Sequence, residues 1–205
     1  MRVNRDKKIY KKVRRKTAYR RFAFFCVFII IAVIVAGQFH QKTITQEDIP
    51  SWVNKQLIVS NTTPEDKNIG RVKDIVIHYV ANPGSTAMNN RDYFAKEDVH
   101  VNAHFVVGLN GEVVQCMPLY LKSAASNNRN PDTISIEVCH PDSTGEFTDV
   151  TTNSLVKLTA WLCDEFNISR NNIIRHGDIT GKNCPKYFME HEDKWLDFKE
   201  QVKKY

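Results

Sequence analysis

The chain has 205 residues, 42% of them hydrophobic and 25% charged, with seven Pro and eight Gly; this balance belongs to a folded domain and excludes collagen-like and broadly disordered classes. The length leaves room for one catalytic-sized domain. The net charge of +6 is unevenly held: residues 1–21 contain eleven Lys and Arg against one Asp, a charge of +10, which leaves −4 on everything after them. A mildly acidic domain offers phosphates no long-range attraction, so nucleic acid is not an expected partner.

After the basic tail, residues 22–37 form an uncharged run rich in Phe, Ile and Val, extended by Gln38 and Phe39. As a helix, 22–39 reaches roughly 27 Å, slightly short of a hydrocarbon core of about 30 Å, and Arg20 and Arg21 can snorkel to close the gap. A buried core helix fits poorly, because no amphipathic partner pattern surrounds the run. The pattern predicts a single transmembrane helix. Ala36 and Gly37 make a poor signal-peptidase site, so it reads as an uncleaved signal anchor. The positive-inside rule then puts residues 1–21 in the cytoplasm, against anionic lipid, and the rest of the chain outside the cell membrane.

Residues 40–48 are polar and read as a linker, and a domain is expected over 49–205. Its predicted elements are a strand over 74–80, a helix near 85–96, and a hairpin whose strands 104–108 and 112–117 flank the Asn110-Gly111 turn signal. They continue with a strand over 133–139, a long helix near 152–166, a short strand over 172–175 and a helix near 192–203. Mixed strands and helices predict an α/β fold with a central sheet flanked by helices. Alternation puts His78 on one strand face with Val76 and Val80, and Ser135, Glu137 and Cys139 on one face opposite Ile134, Ile136 and Val138. A mid-strand carboxylate on a covered sheet is costly unless paired or used, which marks Glu137 for function.

The segment Ile173-Ile174-Arg175-His176-Gly177-Asp178-Ile179-Thr180-Gly181-Lys182-Asn183-Cys184-Pro185 places an imidazole and a thiol eight positions apart on a Gly-punctuated loop. With a nitrogen from another strand, His78 being the choice, His176 and Cys184 form a zinc set of the catalytic type, three protein ligands with one open position. The spacing matches no closed zinc-finger pattern, and the residues alone also admit Cys184 as a nucleophile with His176 as its base; Pro185 and the lack of an expected helix N-terminus at the cysteine count against that. His104 reads as a hydrogen-bonded structural histidine, while His100, His140 and His191 default to surface or loop positions. Cys26 reads as a small apolar residue of the span, Cys163 as core, and Cys116 and Cys139 are candidates to pair across neighbouring strands, although spacing requires no disulfide.

Four segments in order carry a family resemblance: Ile77-His78-Tyr79-Val80-Ala81-Asn82-Pro83-Gly84, Asn102-Ala103-His104-Phe105-Val106-Val107, Ser135-Ile136-Glu137-Val138-Cys139, and the His176 to Pro185 segment. Together they resemble the zinc-dependent N-acetylmuramoyl-L-alanine amidases, the family of phage endolysins, bacterial autolysins and animal peptidoglycan recognition proteins. The resemblance covers residues 49–188. It implies Zn2+ held by His78, His176 and Cys184, Glu137 as the catalytic carboxylate, Lys182 as the oxyanion-stabilising lysine, and hydrolysis of the amide between N-acetylmuramic acid and L-alanine in peptidoglycan. In that chemistry the metal lowers the pKa of water toward about 7 and polarises the amide carbonyl, while Glu137 moves the proton to the leaving nitrogen. The chain departs from the family at Ala103, where some phage members carry a catalytic Tyr, and over residues 123–130, where many relatives have a Trp-His pair. Asn82, Asn128 and Arg129 are candidates to line a polar groove there. The resulting expectation is a monomeric, membrane-anchored cell-wall hydrolase; the alternative is a non-catalytic peptidoglycan-binding receptor, disfavoured because Cys184, Glu137 and Lys182 are all present.

Overall fold

The computed structural model describes residues 19–31, 44–58 and 68–205, and the chain divides into two compact units, 1–41 and 42–205. In the first, residues 19–31 are helical and their apolar side chains are exposed, Phe24 at 75% and Phe28 at 71%. Among the described residues no helix is long and apolar enough to cross a membrane, so the expected span at 22–39 is not supported as one; its second part, 32–39, lies outside the described residues.

The second unit is built on a six-stranded mixed sheet. Its strands are β1 (Val53–Lys55), β2 (Asp74–Ile77), β3 (Phe105–Val107), β4 (Val113–Gln115), β5 (Thr133–Val138) and β6 (Ile173–Arg175), in the order β1-β4-β3-β5-β2-β6. Only β3 and β4 pair antiparallel, as the expected hairpin; β1 on β4, and β3, β5, β2 and β6 in succession, pair in parallel. The helices are α1 (Ala87–Phe94), α2 (Asp149–Glu165), α3 (His176–Thr180), α4 (Lys186–Glu190) and α5 (Glu192–Lys204). Helices α1 and α2 each begin with a side-chain cap: Thr86 and Asn89 form a reciprocal capping box on α1, and Thr148 accepts from Thr151 N at 3.2 Å on α2, satisfying main-chain donors that have no partner within the helix.

The alternation in β5 sorts the molecule into layers. Ile134, Ile136 and Val138 join Ile75 and Ile77 in the main core, packed against Leu155, Leu158 and Leu162 of α2 and Trp195, Phe198 and Val202 of α5. Cys139 faces a second apolar cluster with Val106, Val114 and Cys116, covered by Ala87 and Phe94 of α1. The central sheet flanked by helices is therefore as expected. Residues 44–48, expected within a polar linker, include Ile44, which is 4% exposed and joins the main core. Cys163 lies in that core as expected, whereas Cys116 and Cys139 are free thiols: β3 lies between their strands, so they do not occupy adjacent positions. His140, expected at a surface or loop position, lies on a loop but is 1% exposed and packs against Tyr79 at 5.1 Å between ring centroids.

Candidate active site

The sheet register assembles the site. Ile77, the last residue of β2, is aligned with Ile136 of β5 on one side and with Arg175 of β6 on the other. One residue further along each parallel strand come His78, Glu137 and His176, so three chemistry-bearing side chains stand abreast at neighbouring strand spacings. They lie at the carboxyl ends of parallel strands, where α/β sheets hold their ligands.

Cys184 reaches the same point because the chain doubles back. Helix α3 starts at His176 and ends at Gly181, whose φ of 75° is the left-handed conformation a glycine adopts without strain. Gly177 N then donates to Cys184 O at 2.7 Å. A Cβ on Gly177 would sit 2.5 Å from Lys182 O, so that approach requires a glycine. The expected loop is thus a helical turn closed by a reversal, and it is followed at once by α4 with Pro185 as its N-cap. A helix N-terminus does stand beside Cys184, contrary to expectation. Burial and the nearby Glu137 nonetheless push the Cys184 thiol up to about 12, the opposite of the shift a metal-free thiolate nucleophile needs.

One ligand atom from each of His78, His176 and Cys184 lies within 4.8 Å of the others. The two imidazoles are nearly buried, 2% and 8% exposed, with ring centroids 4.5 Å apart, and burial holds both below the usual histidine range, His78 to about 3. Two neutral imidazoles and a thiol are the donors a divalent zinc ion takes, and three such donors leave a fourth position open. Glu137 adds a carboxylate whose Oε1 is 3.9 Å from His78 Nδ1, while its Oε2 is buried without a hydrogen-bond partner. Burial pushes the Glu137 carboxyl up to about 8. A buried, unpartnered carboxylate oxygen beside three converging donors is a group awaiting a cation or a substrate proton.

These residues line a cavity of about 590 Å³ together with Lys182, His100, Asn102, Asn127 and Asn130. Lys182 is exposed at its rim and its charge helps depress His176. His100 is exposed on a loop, as its default reading has it, and from there it faces the cavity. Of the expected groove residues, Asn82 and Asn128 do not line the cavity, and Arg129 is held in ion pairs with Asp132 and Asp74. The residues the sequence reading missed are their neighbours: Asn127 Oδ1 lies 3.0 Å from His176 Nε2, and Ser126 Oγ lies 3.5 Å from His78 Nε2.

Residues 68–187 match the family described as N-acetylmuramoyl-L-alanine amidase. The chain belongs to this family. Among similar proteins, the N-acetylmuramoyl-L-alanine amidase BlyA of Bacillus subtilis (strain 168) is 30% identical over 172 residues, 74% of this chain and 47% of its own length. This amidase-family chain spans about half the length of the curated relatives it matches. Among solved structures, PlyL superposes with a TM-score of 0.65 at 25% identity, covering 73% of this chain and 96% of PlyL. The catalytic domain of XlyA gives 0.62 at 25% identity, covering 73% and 98%. The matched stretch contains all five expected site residues, His78, Glu137, His176, Lys182 and Cys184.

Proposed function

We propose that this chain is a zinc-dependent N-acetylmuramoyl-L-alanine amidase that cuts the amide between N-acetylmuramic acid and L-alanine in peptidoglycan. The observation that carries the reading is the convergence of His78, His176 and Cys184 within 4.8 Å beside the unpartnered Glu137 Oε2 at a solvent-reachable cavity. The three donors would hold the metal, which when bound supplies Lewis-acid polarisation of the amide carbonyl and an acidified water. Glu137 stands where it can take a proton from the attacking water and return it to the departing L-alanine nitrogen. Lys182, at the cavity rim, offsets negative charge that develops on the carbonyl oxygen. The asparagine-rich wall, Asn102, Asn127 and Asn130, provides neutral donors and acceptors for a substrate made of sugar hydroxyls and amides.

The basic tail and the apolar run after it support placing this enzyme at a membrane, N-terminus inside and catalytic unit outside, facing the wall. Purified peptidoglycan treated with residues 42–205 is expected to release new L-alanine amino groups, to stop when a chelator removes the metal, and to resume when zinc is restored. New reducing ends, or binding to the wall without any cleavage, would overturn the amidase reading. The full chain is expected to sediment with membranes and residues 42–205 to remain in the supernatant.

A further inference from the structure

The short 3-10 segment Asn127–Asp132 between β4 and β5, with Ser126 before it, contacts both expected ligand histidines. Asn127 Oδ1 is 3.0 Å from His176 Nε2. A carbonyl oxygen only accepts, so this bond keeps the proton on Nε2 and leaves the Nδ1 lone pair free. At His78 the arrangement repeats more loosely: Nε2 faces the buried Ser126 Oγ at 3.5 Å, while Nδ1 is the nitrogen on the Glu137 side.

The segment is fastened at several points. Arg129 pairs with Asp74, the first residue of β2, and donates to Asp132 at 2.8 Å. Lys73 adds a 2.9 Å ion pair to Asp132, and Thr133 Oγ1 donates to Arg129 O at 2.8 Å. Asn130 Oδ1 accepts from Ser126 N at 2.6 Å and Ala125 N at 3.2 Å. These bonds hold Asn127 at φ 54°, a left-handed conformation that asparagine tolerates better than most side chains.

We propose that Asn127, backed by Ser126, is a positioning residue that presents His176, and more weakly His78, to a metal through Nδ1. This rests on the metal reading of the site given above. Partners of this kind set ring orientation and tautomer, and their loss typically costs about 10–100-fold in metal affinity.

The test uses the full chain in detergent, labelled with 15N at histidine. Asn127→Gly removes the amide while accommodating the positive φ, and Asn127→Asp keeps an acceptor oxygen. In the metal-free state the wild type and Asn127→Asp are expected to show His176 protonated at Nε2, and Asn127→Gly a mixture of tautomers at an unchanged thermal midpoint. In competition with a chromophoric chelator, Asn127→Gly should bind zinc about 10–100-fold more weakly than the wild type, and Asn127→Asp should restore most of the loss. An Asn127→Gly chain with wild-type zinc affinity and an unchanged His176 tautomer overturns the positioning role alone. A wild-type chain that takes up no zinc overturns the metal reading and the role with it.

Discussion

Two histidine sites share one face of strand β5, and they differ in how completely their polar atoms are spoken for. At Ser135, His104 is 0% exposed and closed on all sides. Ser135 N donates to its Nδ1 at 3.0 Å, its Nε2 faces Leu121 O at 2.9 Å, and the Ser135 and Ser123 hydroxyls complete the cluster at 2.7 Å. Two residues along the strand, at Glu137, the side chains are nearly as buried, yet a carboxylate oxygen has no partner and three donor atoms converge on one another. A buried polar cluster with every atom satisfied stabilises and specifies the fold. One with atoms left over costs stability, and a protein keeps it where a ligand or a reaction makes up the difference.

The comparison predicts opposite responses to substitution, and the largest belongs to the open site. Replacing His78, His176 or Cys184 by Ala should abolish both zinc uptake and release of L-alanine amino groups; metal analysis alongside the digestion assay checks this. Glu137→Gln should leave zinc content intact and lower turnover by about 10²–10⁴-fold, the usual weight of a positioned acid–base group. A zinc-free Glu137→Gln protein would instead make the carboxylate a ligand.

At the closed site the signs reverse. His104→Ala should leave zinc content and turnover of the folded protein within about twofold, while each buried partner it strands costs about 1–3 kcal/mol in a denaturant titration. Loss of activity without loss of stability would erase the distinction between the two sites. The smallest effect is on pH dependence. Burial lowers the His104 pKa from 6.5 to about 4, so the folded chain binds that proton more weakly than the unfolded chain. The contribution of His104 to stability is fully present above about 6.5 and is lost as the pH drops toward about 4, by up to about 1.4 kcal/mol per pH unit. His104→Gln, which cannot titrate, should make that part of the profile shallower in chemical unfolding at stepped pH, with the slope due to His78 remaining.

Much of the site was legible in the chain because it is written in strand alternation. Period two alone put Ser135, Glu137 and Cys139 on one face, and the structure holds Glu137 toward the site and Cys139 in the second cluster. His176 and Cys184 are eight positions apart, close enough in sequence for a Gly-punctuated turn to join them. What escaped notice depends on contacts between distant segments. His140 lies just past the end of β5, where it packs against Tyr79 and its Nδ1 meets Asp142 O at 2.6 Å. Asn127 belongs to a stretch with no periodicity, and its contact with His176 joins segments 49 positions apart in the chain. The helix N-terminus at Pro185 was missed because a five-residue helix carries too little pattern to register.

The amino-acid sequence by itself therefore determined the layered α/β class and the charge division between a basic tail and an acidic domain, which follow from local composition and short-range period, while the five expected site residues were named through the resemblance of four ordered segments to the amidase family. Only the tertiary structure decided that His78, Glu137 and His176 stand abreast, because parallel register is set by hydrogen bonds between strands far apart in the chain. It also supplied the partners that close His104 on both ring nitrogens, Ser135 N and Leu121 O, because these arrive from segments distant in the chain.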